Sequence, residues 1–179
     1  KKDAKWMKMF KNTSLDYDRY VICRKAFMGG YTHANYMYAG QIMENVDSYD
    51  FGSAYPFAIA TEKFPVAPLK RLPNANIYDL KRLLNTDNYL FICTITAKNV
   101  RAKGTMTYLS SSHCEVSSDS VLDNGRIFKA DMIKTTCTSL DLAIILRMYK
   151  IDAIRVDECY YCRADYLPSG IVCTMLKYY

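Results

Sequence analysis

The sequence predicts an α+β fold, an antiparallel sheet with helices packed against it, and three observations carry that expectation. Residues 89–97 read Tyr-Leu-Phe-Ile-Cys-Thr-Ile-Thr-Ala, apolar at first and then alternating, the strongest strand signal in the chain. Asn124-Gly125 stands between Val121-Leu122 and a strand-like run over 126–136. Asn-Gly is favoured in two-residue hairpin turns because both central positions need positive φ. Thr138-Ser139-Leu140-Asp141 has the form of a capping box, with Asp in place of Glu, and opens a helix over 140–150. No internal repeat and no Pro/Gly-rich linker breaks the 179 residues, so one unit is expected.

Taken in order, residues 1–11 carry lysines at 2, 5, 8 and 11 with Trp6, Met9 and Phe10 between them, the pattern of a fraying end or a short amphipathic helix, for which docking by Trp6 with the lysines in water is favoured over a membrane or nucleic-acid role. Ser14 is the expected N-cap of a second helix, in whose first turn Asp16 and Asp18 complement the dipole. Leu15, Tyr20, Val21, Ile22 and Ala26 are available to a core, and the glycine pair Gly29-Gly30 should end the helix. Residues 31–38 and 41–50 read as extended chain turned at Ala39-Gly40, with a strand ending on Asp50. A helix should follow Ser53 and stop near Lys63, before Pro65. Residues 66–73 are loop-like, and 78–84 form a short helix with a 3–4 apolar repeat. The polar run 101–124 precedes the hairpin, and 151–166 is a last long strand before Pro168.

Half the residues are hydrophobic, enough for a folded core rather than a disordered chain. The net charge of +6 and pI of about 8.9 favour a polyanionic partner. Sixteen tyrosines can stack on bases or sugars while donating a hydrogen bond, and they also suit a sheet surface. Seven cysteines form no framework, which points to reduced thiols in a cytosolic compartment. Cys159-Tyr160-Tyr161-Cys162 lacks a second pair or a His partner, and on a strand its thiols would face opposite sides. No run reaches the ~18 apolar residues of a membrane span, and the basic N-terminus lacks the apolar stretch of a signal peptide, so no membrane partner is expected. The chain begins with Lys1, as a piece or processed form would.

The chemistry is sought in Tyr49-Asp50-Phe51-Gly52-Ser53-Ala54-Tyr55-Pro56, where the chain changes character at one carboxylate. A carboxylate beside the free N–H groups of a helix start can be a plain N-cap or solvated turn residue. It can also face phosphate across a divalent cation, and Mg²⁺ is commonly held by one or two carboxylates plus substrate phosphates. The pattern Asp-x-x-Ser-x-Tyr-Pro resembles motif A of family B DNA polymerases. About twenty residues upstream, Lys25-Ala26-Phe27-Met28-Gly29-Gly30-Tyr31-Thr32-His33-Ala34-Asn35 resembles the Tyr-x-Gly-Gly element of the protein-primed members in bacteriophages and linear plasmids. The resemblance is closest over 14–66 and thinner over 89–172. Phe27 stands where the family has Tyr, which loses a hydroxyl but keeps a ring to pack.

The resemblance implies a partial palm domain with an antiparallel palm-type sheet. Its parts would be an approach segment with the Gly-Gly loop over 1–45, the motif A strand and helix with a palm strand over 46–100, and over 101–179 a region resembling the insertion that contacts the terminal protein used as primer. It implies metal-dependent nucleotidyl transfer with Mg²⁺ or Mn²⁺, in viral or plasmid DNA replication in the cytoplasm of a bacterial host. Asp50 would be catalytic, binding metal together with the Phe51 backbone carbonyl; Ser53, Ala54 and Tyr55 would bind the nucleotide, the Tyr55 ring filling the space a 2′-hydroxyl needs. Gly29, Gly30, Thr32 and Asn35 would touch the DNA backbone. Partners would be template-primer DNA, deoxynucleoside triphosphates and the terminal protein. The family's Tyr-x-Asp-Thr-Asp strand, Lys-x-x-x-Asn-Ser-x-Tyr-Gly helix and proofreading Asp-x-Glu are absent from the chain, and Asp157-Glu158 is no substitute, so the isolated chain is expected to be inactive. A basic, tyrosine-rich module binding DNA or protein without catalysis is the rival reading, and a structural domain with an accidental motif a third.

Overall fold

The structure is a computed structural model that describes residues 2–32, 36–117 and 119–178. Its frame is a sheet in the order β1 (Lys63–Pro65), β8 (Ala153–Tyr166), β3 (Tyr89–Ala102), β6 (Arg126–Thr138) and β4 (Cys114–Val116), with every pairing antiparallel. Short strands extend it: β2 (Lys70–Arg71) beside β8, β5 (Val121–Asp123) beside β6, and β7 (Tyr149–Lys150) beside β3. The expected α+β class with an antiparallel sheet is therefore the fold observed.

Alternation along β3 divides its side chains between two cores. Phe91, Cys93, Ile95 and Ala97 enter the larger one, where they meet Leu80 of α4 (Ile77–Leu84) and Leu142 and Ile145 of α5 (Ser139–Met148). Leu90 and Ile92 face the other way, onto a small core with Leu69, Tyr160, Cys162 and Ile22 of α2 (Tyr17–Ala26). Cys159 and Cys162 fall on opposite faces as a strand requires, and all seven thiols are free. In β8 the register slips between Thr94 and Ile95 of β3, leaving Asp157 as the extra residue of a bulge. The bulge lets Ile154 and Val156 on one side of it and Cys159 and Tyr161 on the other all reach the larger core.

Local signals hold where predicted at the hairpin, with Asn124 and Gly125 at φ 47° and 73°, and at α5, where Thr138 and Asp141 form a reciprocal capping box. Asn76 and Asp79 form a second box at α4. Tyr149 ties the polar 101–125 run to the sheet: its buried hydroxyl accepts from the N–H groups of Tyr108 and Leu109 at 2.8 and 3.0 Å and donates to the Ile127 carbonyl at 2.9 Å.

Several boundaries differ from expectation. The first helix, α1, spans Lys2–Asn12 as expected, but the side chain of Trp6 lies outside the described residues. Asp16, not Ser14, caps α2, accepting from the Arg19 N–H, while Ser14 turns back onto the Lys11 carbonyl. That helix ends at Ala26, short of the glycines, and the Phe27 ring is exposed instead of packed. The Ala39-Gly40 turn is present, with Gly40 at φ 76°, but it follows a 3₁₀ turn at Tyr36–Tyr38. The helix after Ser53, α3, stops at Thr61, and β2 lies within the stretch read as loop. Beyond Pro168 a further helix, α6 (Ser169–Lys177), runs against α3. Among the described residues no helix is long and apolar enough to cross a membrane.

Candidate active site

Residues 46–50 form no strand, which corrects the expectation that one delivers Asp50. A strand needs a neighbour for its backbone groups, and no described strand pairs with this segment. Asp50 is exposed on the loop just before α3 (Ala54–Thr61), with one carboxylate oxygen accepting the Phe51 N–H at 2.8 Å. The other oxygen and the Phe51 carbonyl are hard donors of the kind Mg²⁺ prefers. By themselves they would fill only part of a coordination shell, and among the described residues no three His, Cys, Asp or Glu side chains gather into a fuller one.

Ser53 adopts the left-handed conformation at φ 57° and makes no side-chain cap. The first α3 bond runs from the Phe57 N–H to the Ser53 carbonyl at 3.0 Å, and Pro56 has no N–H to give. The donors at this helix start are therefore those of Ala54 and Tyr55, which a serine cap in the usual extended conformation would partly occupy. The Tyr55 ring is 81 % exposed in the first turn, so it is not a core aromatic. Asp50, Phe51, Ser53, Ala54 and Tyr55 thus share one open stretch.

The glycine pair lies elsewhere, in the loop that follows α2. Gly29 and Gly30 are exposed, neither has positive φ, and a Cβ added to either would meet nothing within 4 Å. Neither backbone conformation nor packing against the described residues accounts for glycine here. Thr32 is exposed and offers its carbonyl to Arg126, while Asn35 lies outside the described residues. Next to the pair, Tyr31 stacks on Tyr108, and with Ser110, His113 and Arg126 these residues line a cavity of about 190 Å³. Tyr31 and Arg126, 95 positions apart, had no signal in the sequence that could join them.

A larger cleft of about 610 Å³ lies between α2 and the polar end of the sheet, lined by Arg24, Lys25, Arg71 and Lys134 together with Asp157 and Glu158. Asp157 is engaged by Thr96 at 2.5 Å and Arg155 at 2.7 Å. Partial burial alone would raise its pKa, yet these two hydrogen bonds and the Arg155 charge hold it below the usual carboxylate value. Asp157 thus ties β8 to Thr96 of β3. Tyr108 is raised by burial and by the Asp141 carboxylate it bonds, so it stays a neutral donor.

A search of curated proteins found no match. The structure resembles Phi29 DNA polymerase in a ternary complex with primer-template DNA and incoming nucleotide substrates, at TM-score 0.71 and 16 % identity, over 97 % of this chain and 29 % of that one. An orthorhombic crystal form of Phi29 DNA polymerase gives TM-score 0.68 and 15 % identity, over 93 % and 28 %. At such identity the likeness speaks for the fold, and this chain spans about three-tenths of those polymerases. The family model for DNA polymerase type B, organellar and viral, matches residues 1–161, a span that includes the glycine pair and the whole of 50–55. The chain belongs to the organellar and viral type B DNA polymerases.

Proposed function

We propose that this chain is part of the palm of a protein-primed DNA polymerase, contributing one of its metal-binding carboxylates to nucleotidyl transfer during viral or plasmid DNA replication. One observation carries the reading: the family match spans Asp50 and Tyr55, and the fold leaves both open to solvent instead of using them in its core. Asp50 with the Phe51 carbonyl would hold a divalent cation, Mg²⁺ or Mn²⁺, which supplies neutralisation of phosphate charge when bound. The backbone N–H groups of Ala54 and Tyr55 face phosphate oxygens beside Ser53, and the Tyr55 ring lies under the sugar. Gly29 and Gly30 let a DNA backbone approach, with Thr32 and Asn35, which follow them in the sequence, as further contacts. The region 101–179 is the surface for a terminal protein primer, and seven free thiols suit work in the cytoplasm of a bacterial host.

A physical point supports a larger parent. Every position of α3 except Thr61 is apolar, yet only Pro56 is buried. A helix apolar all round belongs inside a larger body. Phe51, Tyr55 and Phe57 are exposed here at 87, 81 and 69 %, in a chain spanning about three-tenths of the polymerases it resembles.

The test is Asp50→Asn in the full-length polymerase, measured as deoxynucleotide incorporation on primed DNA. The substitution keeps size and removes the charge that holds the cation, so incorporation should fall by roughly three orders of magnitude or more with the melting temperature unchanged. Loss of less than about tenfold would sink the assignment of Asp50.

A further inference from the structure

Arg126 opens β6 directly after the hairpin turn, and its side chain turns back toward the glycine pair. One guanidinium nitrogen donates to the Tyr108 carbonyl at 2.8 Å and another to the Thr32 carbonyl at 3.3 Å. The guanidinium carbon lies 4.7 Å from the centroid of the Tyr31 ring. That ring in turn stacks on Tyr108, with centroids 6.2 Å apart and planes 12° from parallel, and its hydroxyl donates to the Thr107 carbonyl at 2.9 Å. Apart from the Arg126–Tyr108 bond, each of these contacts joins residues 31–32, immediately after the glycines, to residues 107–126.

The glycines themselves bring no side chain to hold them in place. A glycine segment has more conformational freedom to lose on binding than any other, so a loop of this kind binds well only when something nearby has already restricted it. We propose that Arg126 is the positioning residue of the Gly29-Gly30 loop, fixing it against the β5–β6 hairpin so that the pair is presented ready for a nucleic-acid backbone. The second half of this statement rests on the polymerase reading; the anchor itself does not. Arginine is the residue suited to such an anchor, because its planar fork reaches two carbonyls while its face lies on an aromatic ring, which the point charge of lysine cannot reproduce.

The test uses the 179-residue chain with Arg126→Ala and Arg126→Lys, read by backbone ¹⁵N relaxation without DNA and by binding of a labelled primer-template DNA over a range of KCl. In both variants the order parameters of Gly29, Gly30 and Tyr31 should fall from about 0.8 to about 0.6 or below, with β3 and the far end of β6 unchanged. Binding should weaken about threefold or more in both, and the salt dependence of Arg126→Lys should match that of the unaltered chain. Unchanged order parameters at 29–31 overturn the anchor. So does a lysine variant that restores binding while alanine reduces the salt slope by about one, since Arg126 would then be a plain phosphate contact. Should the alanine variant fail to fold, the lysine variant decides both points. If the unaltered chain binds no DNA, the polymerase reading loses its support in this loop, and relaxation still decides the anchor.

Discussion

Tyr55 shows how a single side chain can be read for function by what it does not do. A large aromatic in a helix is normally retained by burial, worth a few kcal/mol for a ring of this size. At 81 % exposure Tyr55 collects almost none of that, and the same holds for Phe51 in the loop before the helix. If the ring fills the space of a 2′-hydroxyl, Tyr55→Val in the full-length polymerase should let ribonucleotides in about tenfold or more readily, while deoxynucleotide incorporation persists at a reduced level. Side-by-side incorporation of the two sugar types checks this. Equal losses for both would leave Tyr55 with a packing role in the parent and withdraw the sugar gate. Asp50, nearby in the open stretch, differs in that its carboxylate is already half engaged by the Phe51 N–H.

Among the elements, the β5–β6 hairpin has the most to hold. Its turn residues take positive φ, the Gly125 carbonyl accepts both the Ser111 N–H and the Ser111 hydroxyl at 2.9 Å, and Arg126 beyond it reaches the glycine loop. A Cβ at Gly125 would touch nothing within 4 Å, so an alanine there meets a conformational penalty and no steric one. Gly125→Ala should cost about 1–2 kcal/mol in urea unfolding of the chain, the penalty for a left-handed alanine. Gly104→Ala, where φ is not positive and the space is equally open, should change stability by less than about 0.5 kcal/mol. Equal effects at the two sites would mean that the hairpin turn tolerates a relaxed backbone. The anchor at Arg126 makes a further readout available, because a distorted turn should also loosen Gly29 and Gly30.

At the scale of the molecule, the sheet interior is unusually rich in thiols. Cys93 of β3 faces Cys137 on one neighbouring strand and Cys159 on the other, with the Cys93 and Cys137 sulfurs 3.8 Å apart. The hydrogen bond with Cys137 and then burial push Cys93 well up, and burial raises Cys114 and Cys162 to about 11 and Cys159 to about 12. In the unfolded chain these groups lose their protons near the ordinary thiol value of 9. The folded state therefore binds more protons between about pH 9 and 12, and stability falls as pH rises through that window. Urea midpoints should be level from about pH 7 to 8 and drop clearly by about pH 10.5, each such thiol contributing up to about 1.4 kcal/mol per pH unit. A midpoint that holds or rises at that alkaline end would contradict the burial of these thiols.

Local features follow from short runs of residues. The capping box at Thr138, the Asn124-Gly125 turn and the helix before Asn85 each rest on interactions between residues a few positions apart, and the strand from Tyr89 is marked by its own apolar and then alternating run, although its hydrogen bonds go to distant strands. The motif around Asp50 and the glycine pair were legible for the same reason, as short runs of residue types. Other features depend on partners far along the chain and arise only in the folded molecule. Whether 46–50 becomes a strand depends on a neighbour to receive its backbone hydrogen bonds, and no described strand provides one. The bulge at Asp157 follows from two strands keeping register with a common core, and the burial of Cys93, Cys137 and Cys159 follows from the order of β8, β3 and β6. The hold of Arg126 on Tyr31 and Thr32 spans more than ninety residues and exists only once the polar 107–126 stretch has been pinned to the sheet by the Tyr149 hydroxyl. Contacts of that range are set by topology, which no local spacing of residues encodes.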